Sequence, residues 1–438
     1  MKLAAVVVIL LLVLLPLMSR IMVGDGKLQG KLQTFISYGM SLMTVLLCIF
    51  TISVSTHTLS DDIKRKYIFL VVTKPIGRFQ IILGKLLGVV TVDFVLLVVF
   101  SSIIYILTLL MFHYTDAPQP EIDQAKNEFF TARLGLTDPE DEDKIERRAR
   151  EALDKLERTH QMPENMTRME VLNQLIGHEK IKARSVGVYG KKVWEFENVR
   201  VRDPNDTLFV RYKFSVATPP PDDQVHGLWH IGDNRQIEMA VGEWKTPIWS
   251  IRRSDVIRTF AEIQAPAAVI ADDGYVAVVF YNTNLNRTTV IPEDVELLFR
   301  AGSFTGNYIR AVLLIGVRLI FLAALGVSAS TWLSFPVAFL LTVVVFCLGM
   351  INGFIVESFD SLGPVVGIIY SFTLRPLVWL LPRLDGAHNP TQFMVFGKLL
   401  TWRALAGACG VMIGLKAALL TVLGMWIFSN REIAKTVA

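Results

Sequence analysis

Apolar residues along this chain are concentrated in seven long runs, with a polar central region between the third run and the fourth. A helix needs about 20 apolar residues to cross a bilayer, so the runs predict a polytopic α-helical membrane protein. The runs are Leu3–Ser19, Thr34–Thr56, Phe79–Phe112, Tyr308–Ser328, Leu333–Val356, Leu362–Leu381 and Ala404–Phe428.

The sixth run is expected not to cross the membrane. Leu362–Leu381 contains Pro364, Arg375 and Pro376, and Pro382 follows it. Proline removes a backbone donor and kinks a helix, so this segment is predicted to be re-entrant or interfacial. Such a segment is tolerated where protein satisfies its free backbone groups. The prediction is therefore six transmembrane helices, three in residues 1–113 and three in residues 305–438.

The first run has two interpretations. Met1-Lys2 places a positive charge before an apolar core, as in a signal peptide, but the following PLMSRIMVGDG offers no convincing small-x-small cleavage site. An uncleaved helix is therefore favoured. The very short stretch before it leaves open whether the start is complete.

Lysine and arginine orient the helices, because positive charge is enriched in cytoplasmic loops. The segment between the second and third runs contains five such residues, Lys85 lies near the start of the third run, and the C-terminal tail contains Arg431 and Lys435. Both termini are therefore predicted to be cytoplasmic, with residues 114–304 outside a bacterial inner membrane. The outer loop 20–33 also contains Arg20, Lys27 and Lys31, which weakens the rule there.

The central region contains two different sequence patterns. Residues 114–184 are charged and helical, as in PEDEDKIERRAREALDKLERTH, with acids first and bases later as the macrodipole favours. Residues 185–304 contain short β-branched and aromatic stretches such as TLFVRYKFSVAT and GYVAVVFYNT. Together they predict an extracytoplasmic α+β domain that contains a jelly-roll-like β-sandwich.

Four tryptophans of the central region have two interpretations. They are expected in the core of the sandwich, because aromatic side chains fill such cores. The alternative is a face that binds sugar or peptide. They are Trp194, Trp229, Trp244 and Trp249.

Composition narrows the functional classes. Hydrophobic residues make up 52% of the chain and the mean hydropathy is +0.45, which favours a membrane protein. The net charge of +4 is too small to indicate a nucleic-acid partner. Cys48, Cys347 and Cys409 all lie in apolar runs, which predicts buried thiols. The pattern predicts no metal site and no catalytic residue, because it contains no CxxC, no His/Cys cluster and no recognisable nucleophile–base set.

The segment between the second and third runs reads LSDDIKRKYIFLVVTKPIGRFQIILGKLLG from Leu59. Ser60 and two acids can start a helix, and Ile63, Tyr67 and Leu70 then recur at helical spacing on one face. This predicts a short amphipathic cytoplasmic helix at about 58–78, broken by Pro75. It would lie passively on the lipid interface or form a docking surface for a cytoplasmic protein.

The same segment resembles the coupling segment of ABC transporter permeases of the type-2 exporter class. WLSFPVAFLL, LLPRLDGAHNPTQFMVFG and FSNREI resemble further segments of that family. The nearest branch is often labelled multicopper enzyme maturation permeases and includes gliding-motility relatives. The resemblance covers both membrane halves but not the central region, and Asp62 stands where the family usually has Glu. The matching residues are Leu59, Ser60, Ile63, Lys74, Pro75, Arg78, Gly84, Lys85 and Gly88.

The resemblance implies a permease subunit whose coupling helix docks on a separate ATP-binding subunit. This chain contains no GxxxxGK[ST], so it is expected to bind no cofactor, and ATP and Mg²⁺ are expected in the partner. A second permease copy or a close relative is also implied. Docking residues are expected to be Asp62, Ile63, Tyr67, Leu70, Lys74, Pro75 and Arg78, and helix-packing residues Gly84, Lys85 and Gly88.

Three ionisable residues lie deep within spanning runs: Asp93, Arg318 and Lys416. At about 1.5 Å per residue, all three are expected near the midplane of the bilayer. Charges at that depth are costly and indicate function by default. Two hypotheses stay open: a network with Asp93 between the two cations that shifts during transport, and a static ion pair that fixes helix packing.

Two functions remain in view. The first is a transport permease powered by a separate ATPase, which a continuous cavity between the helices would favour. The alternative is an ATP-driven mechanical or anchoring protein whose outer domain binds an envelope protein or glycan without transport. The outer domain is far larger than a short exporter loop, which favours this alternative more than is usual.

Overall fold

The computed structural model describes residues 2–22, 24, 26–64, 77–138, 142–159, 161–163, 166, 168–201, 206–238, 245–360, 373–376, 378–386 and 389–430. The chain forms two compact units. One comprises Met1–Ala132 with Gly302–Ala438, and the other comprises Arg133–Ala301. The charged segment predicted for residues 114–184 is therefore divided between them.

The first unit is helical, and most apolar runs correspond to its helices. Among the described residues, four helices are long and apolar enough to cross a membrane: α2 (Leu28–Lys64), α3 (Arg78–His113), α8 (Phe304–Ala329) and α12 (Trp402–Asn430). Two shorter apolar helices accompany them, Ala5–Ile21 within α1 and all of α9. The helices are α1 (Lys2–Ile21), α2 (Leu28–Lys64), α3 (Arg78–His113), α4 (Gln119–Glu128), α8 (Phe304–Ala329), α9 (Phe335–Met350), α10 (Asn352–Asp360), α11 (Pro390–Val395) and α12 (Trp402–Asn430).

Two of the seven apolar runs do not correspond to a single described helix. Leu333–Val356 is divided at Ile351 between α9 and α10. Most of Leu362–Leu381 lies outside the described residues, and the chain from 381 to 384 is not helical. Within α12, Gly410–Ala417 forms a π-helical segment, which contains Lys416.

Helix α8 lies at the centre of this unit and is the most buried of the four long helices, whereas α3 and α12 keep most of their apolar surface exposed. Small residues allow close packing at its C-terminal half. A Cβ added to Gly326 would overlap Ser55 of α2, and one added to Gly424 would lie 2.6 Å from the Ser328 hydroxyl oxygen. Membrane helices commonly use such small residues where two backbones approach.

The second unit contains two four-stranded antiparallel sheets, which confirms a separate β domain. Their orders are β1-β8-β3-β6 and β2-β7-β4-β5. Helices α5 (Glu142–Arg158), α6 (Arg168–Arg184) and α7 (Asn234–Glu238) belong to this unit. The strands are β1 (Thr131–Thr137), β2 (Lys191–Phe196), β3 (Thr207–Val216), β4 (Gln224–Gly232), β5 (Trp249–Val256), β6 (Phe260–Pro266), β7 (Val276–Asn282) and β8 (Val290–Ser303).

Both sheets contribute to one aromatic core. Tyr212 of β3 lies 4.3 Å from Trp229 of β4, measured between ring centroids, and Trp194 stacks on Trp229 at 6.2 Å. Trp194 and Trp229 are therefore core residues, as expected. Trp249 is exposed at the start of β5, and Trp244 lies outside the described residues.

Candidate functional site

The predicted coupling segment is described only at its two ends. Tyr67, Leu70, Lys74 and Pro75 lie in residues 65–76, outside the described residues, and Ile63 is described as backbone in the last turn of α2. Asp62, Arg78 and Lys85 are described. The candidate site is therefore the base of this segment, where α2 ends and α3 begins.

Lys85 joins the two helices at this base. Its ammonium group forms an ion pair with Asp62 and donates to the Thr58 carbonyl oxygen at 3.3 Å. Lys85 of α3 thereby binds the last two turns of α2 through a side-chain carboxylate and a backbone carbonyl. The ion pair is about a quarter exposed on each side, so it contributes roughly 1 kcal/mol or less and mainly fixes geometry.

Arg78 makes a second link, to the last helix. Its guanidinium donates to the carbonyl oxygens of Phe428 and Ser429 at 3.3 and 2.7 Å. These carbonyls lie at the C-terminus of α12, where the macrodipole also favours a cation. The start of α3 is thereby attached to the end of α12.

Apolar contacts complete the base. Leu59, Ile82, Val327 and Phe428 are buried together. One residue comes from each of α2, α3, α8 and α12, so the ends of these helices meet at this point. The His57 ring also packs edge-on against Phe335 at the start of α9, with centroids 5.5 Å apart. Ends of five described helices therefore lie near this base.

No described residue packs on Gly84 or Gly88, the two glycines expected to let another helix approach closely. A Cβ added at Gly84 or Gly88 would have no described atom within 4 Å. These positions lie on the exposed side of α3, whereas Lys85 between them contacts α2. The close helix packing occurs instead at Gly326 and Gly424.

The structure does not bring Asp93 into an ion pair with Arg318 or Lys416. Asp93 is buried in α3, and neither carboxylate oxygen receives a hydrogen bond from a described residue. Its neighbour Thr51 donates instead to the Leu47 carbonyl oxygen at 2.8 Å. Asp93 is thus a buried carboxylate that lies next to Thr51 and accepts no hydrogen bond from the residues that the structure describes.

The two buried cations satisfy backbone carbonyls of the non-helical segment 381–384. Arg318 donates to Leu384 O at 2.6 Å, and Lys416 donates to Leu381 O at 2.7 Å. Asn352 adds a bond to Pro382 O at 3.1 Å. Non-helical backbone at membrane depth requires such partners.

Close backbone contact also anchors this segment. Leu384 N–H donates to the Gly349 carbonyl at 3.1 Å, and a Cβ on Gly349 would lie 2.7 Å from Pro382 Cγ. Asp385 accepts a hydrogen bond from the Gly353 N–H. The sequence pattern did not single out Asn352 or Gly349. The one feature that could have indicated Asn352 is its position directly after an apolar helix and upstream of a proline-rich segment.

Two of the cavities that the described residues line lie in the helical unit. The first, of about 850 Å³, lies between α3, α8 and α12 and is almost entirely apolar, with hydroxyl groups from Tyr105 and Thr305. These two hydroxyls are 2.8 Å apart. The second, of about 630 Å³, is lined by α8, α10, α12 and residues 375–383, and contains three cationic side chains.

The β unit contains a buried hydrogen-bonded set that the sequence did not reveal. Tyr212 donates to an Asp255 carboxylate oxygen at 2.6 Å, and Arg253 donates to the other at 2.7 Å. Burial raises the pKa of Tyr212 well above its usual range, and the bond to Asp255 raises it further. Tyr212 is therefore neutral and serves as a donor in the core.

A surface chain of Ser254, His226 and Asp222 also forms across β4 and β5. The His226 ring nitrogens lie 2.6 Å from the Ser254 hydroxyl and 3.0 Å from the Asp222 carboxylate. The bond from His226 lowers the pKa of Asp222. Ser254 and Asp222 are exposed, so this chain lies on open strand surface and not in an enclosed reaction site.

Comparison with protein-family models, with curated proteins and with solved structures finds no match. Within the described ranges, no group of three His, Cys, Asp or Glu residues has the arrangement of a metal site. The features that bear on the function of this chain are the base of the coupling segment and the helices that pack next to that base.

Proposed function

We propose that this chain is the membrane-spanning permease subunit of an ATP-binding cassette transporter. The observation that carries the proposal is the base of the coupling segment. Lys85 and Asp62 join α2 to α3, and Arg78 joins α3 to the end of α12. A force applied to residues 65–76 would therefore reach three long helices at once.

The proposed power source is a separate ATP-binding subunit that docks on this segment. Ile63, Tyr67 and Leu70 would enter a groove on that subunit, and Lys74, Pro75, Arg78 and Asp62 would set the direction of the segment. ATP and Mg²⁺ would bind in the partner. A second permease copy or a close relative would complete the membrane part, and the exposed Gly84 and Gly88 are available for that contact.

The topology that goes with this proposal has six spans. The four long helices would be joined by α1 and α9 as shorter spans, and the segment around 362–384 would be re-entrant or interfacial. Both termini would lie in the cytoplasm of a bacterial cell, and Arg133–Ala301 would form an extracytoplasmic jelly-roll-like sandwich. The shared core of the two sheets supports that sandwich.

Two separate cavities of about 850 and 630 Å³ lie among the described helices, so the bundle is not tightly closed as an anchor would favour. The continuous cavity that would favour transport outright is not among them. The alternative remains an ATP-driven mechanical or anchoring protein. It is favoured by the second compact unit, Arg133–Ala301, which has a core of its own.

The test is a pull-down of the tagged full chain in mild detergent, with ATPase activity in the eluate as the readout. Wild type is compared with a variant in which Ile63, Tyr67 and Leu70 are changed to Asp. We expect ATPase activity with wild type and a loss of at least about tenfold in the variant, because buried charges weaken an apolar interface.

A matched control changes the exposed Tyr189 and Leu285 of the β unit to Asp. This variant should retain the ATPase. Absence of ATPase from well-folded wild type would contradict the proposal, as would equal losses in both variants.

A further inference from the structure

The second cavity of the helical unit concentrates positive charge at membrane depth. Its lining includes Arg375, Arg383 and Lys416. Within the described lining there is no carboxylate, and no ion pair joins these three cations to a described acid. Three cations converging on one cavity favour an anionic ligand over a neutral or cationic one.

Lys416 is the buried member of this set. It is 6% exposed, its Nζ donates to Leu381 O at 2.7 Å, and it lies 5.4 Å from the centroid of the Trp379 ring. An ammonium group has three N–H donors, so further donors remain for a ligand. Lys416 also belongs to the π-helical segment of α12, a distortion often found at functional sites.

Arg375 and Arg383 supply the exposed side of the cavity. A guanidinium presents a planar fork of donors that matches a phosphate group. Asn352 lies in the same lining and adds an amide. The polar groups therefore suit an oxyanion such as phosphate.

The remaining wall is apolar and includes Leu314, Val356 and Met412. A volume of about 630 Å³ is far larger than a phosphate ion and lies within the usual range of pockets for larger ligands. An ion alone would leave most of this wall against water. A ligand with both a phosphate and an apolar chain uses both parts, as do lipids bound in basic pockets between membrane helices.

We propose that this cavity binds a phosphate-bearing amphipath, with the phosphate between Arg375, Arg383 and Lys416 and an acyl chain along the apolar wall. Binding requires no ATPase. The proposal therefore goes beyond the permease function and can stand or fall separately from it.

The test measures the affinity of the purified full chain in neutral detergent by microscale thermophoresis. The probes are dioctanoyl phosphatidylglycerol, dioctanoylglycerol with the same chains but no phosphate, and inorganic phosphate. We expect the phospholipid to bind at least about tenfold more tightly than either other probe, because charged hydrogen bonds and apolar contact both contribute.

The principal variant is Arg375→Gln with Arg383→Gln, both at exposed positions. It should weaken phospholipid binding at least about tenfold. Arg20→Gln, an exposed arginine at the end of α1, is the matched control and should bind as wild type does. Lys416→Gln is a second variant, which removes the charge but keeps an amide donor, and it should also weaken binding.

Equal binding of the two lipids would overturn the proposal, as would wild-type affinity in the folded arginine variant. Inorganic phosphate that binds as tightly as the phospholipid would overturn the amphipath and indicate a free phosphate site instead. A chain that binds the phospholipid but retains no ATPase would contradict the permease function alone.

Discussion

The buried charged residues of the helical unit differ in whether a described group forms a hydrogen bond with them. Arg318 and Lys416 donate to carbonyls of residues 381–384, whereas the Asp93 carboxylate accepts no hydrogen bond from a described residue. The first two have a clear stabilising role, since they satisfy a backbone that cannot bond to water at that depth. Asp93 has no such role, so its presence favours function over packing.

Replacing Asp93 by leucine should raise stability. A buried carboxylate that accepts no hydrogen bond from a described residue is destabilising, and an apolar side chain of similar size should stabilise the fold by about 1–3 kcal/mol. Thermal unfolding of the full chain in detergent measures this, with Thr91→Leu at an exposed position of α3 as the control. A lower unfolding temperature for Asp93→Leu alone would contradict the prediction. Transport or ATPase coupling should fall even as stability rises.

Tyr212 predicts an alkaline limit to the stability of the β unit. Its raised pKa means that the folded state keeps the phenol proton at pH values where the unfolded state has lost it. The contribution of this residue to the free energy of unfolding is therefore fully present below about pH 10. Above that pH it falls by about 1.4 kcal/mol per pH unit. Urea unfolding followed by tryptophan fluorescence at several pH values measures this slope.

The Tyr212→Phe variant is the control for that slope. It should be less stable at neutral pH by about 1–3 kcal/mol, because Asp255 loses a buried donor. Its alkaline slope should be shallower than that of wild type. Some slope should remain, since burial also raises the pKa of Tyr275. Identical slopes in the two proteins would contradict the assignment.

Site residues were predictable from sequence only where the signal was local. The motif residues Asp62, Arg78 and Lys85 were identified by their order along the chain, but their contacts join α2, α3 and α12 and depend on tertiary packing. Counting along each run predicts a depth for Arg318 and Lys416, and both side chains are buried. Their partners could not be predicted, because a backbone carbonyl leaves no mark in a sequence.

At the scale of elements, apolar length predicted the long helices well. Phe79–Phe112 corresponds to α3 within one residue at each end. The strand β1 was missed, because TARLGLT lies between charged helical stretches and is short. Its partner β8 lies about 160 residues further along the chain, and pairing at that separation has no local signal.

Gly326 should be the most sensitive glycine of the α2–α8 contact. Gly326→Ala places a methyl group against Ser55, so we expect a loss of about 1–3 kcal/mol from overpacking. Adding Ser55→Gly removes the nearest atoms and should restore part of that loss. Thermal unfolding in detergent gives the comparison.

The matched control for this pair is Gly84→Ala. The new Cβ meets no described atom there, and alanine is the better helix former by about 1 kcal/mol. Gly84→Ala should therefore be neutral or stabilising in the isolated chain. If both glycine variants lost the same stability, the close α2–α8 contact would be wrong.

At the scale of the whole molecule, Arg133–Ala301 should fold without the membrane helices. Its core draws on both sheets and is built around Trp229, Tyr212 and Phe280. Expressed alone, residues 133–301 should be soluble and unfold cooperatively. Trp229→Ala in this fragment should reduce stability by about 3–5 kcal/mol, and Trp249→Ala, at an exposed position, by much less. A fragment that aggregates or melts without cooperativity would contradict an independent core.

The ends of this unit have a mechanical consequence. The chain enters through β1 and leaves through the neighbouring β8, and a Cβ on Gly302 would lie 3.4 Å from that of Ala132. Tension that separates those two ends would act perpendicular to β1 and β8. The hydrogen bonds between these strands would therefore break one after another. A force parallel to the two strands would instead have to break many of these hydrogen bonds at the same time. We therefore expect a force applied at the two ends of this unit to separate β1 from β8 at low force. The aromatic core would unfold only at a higher force.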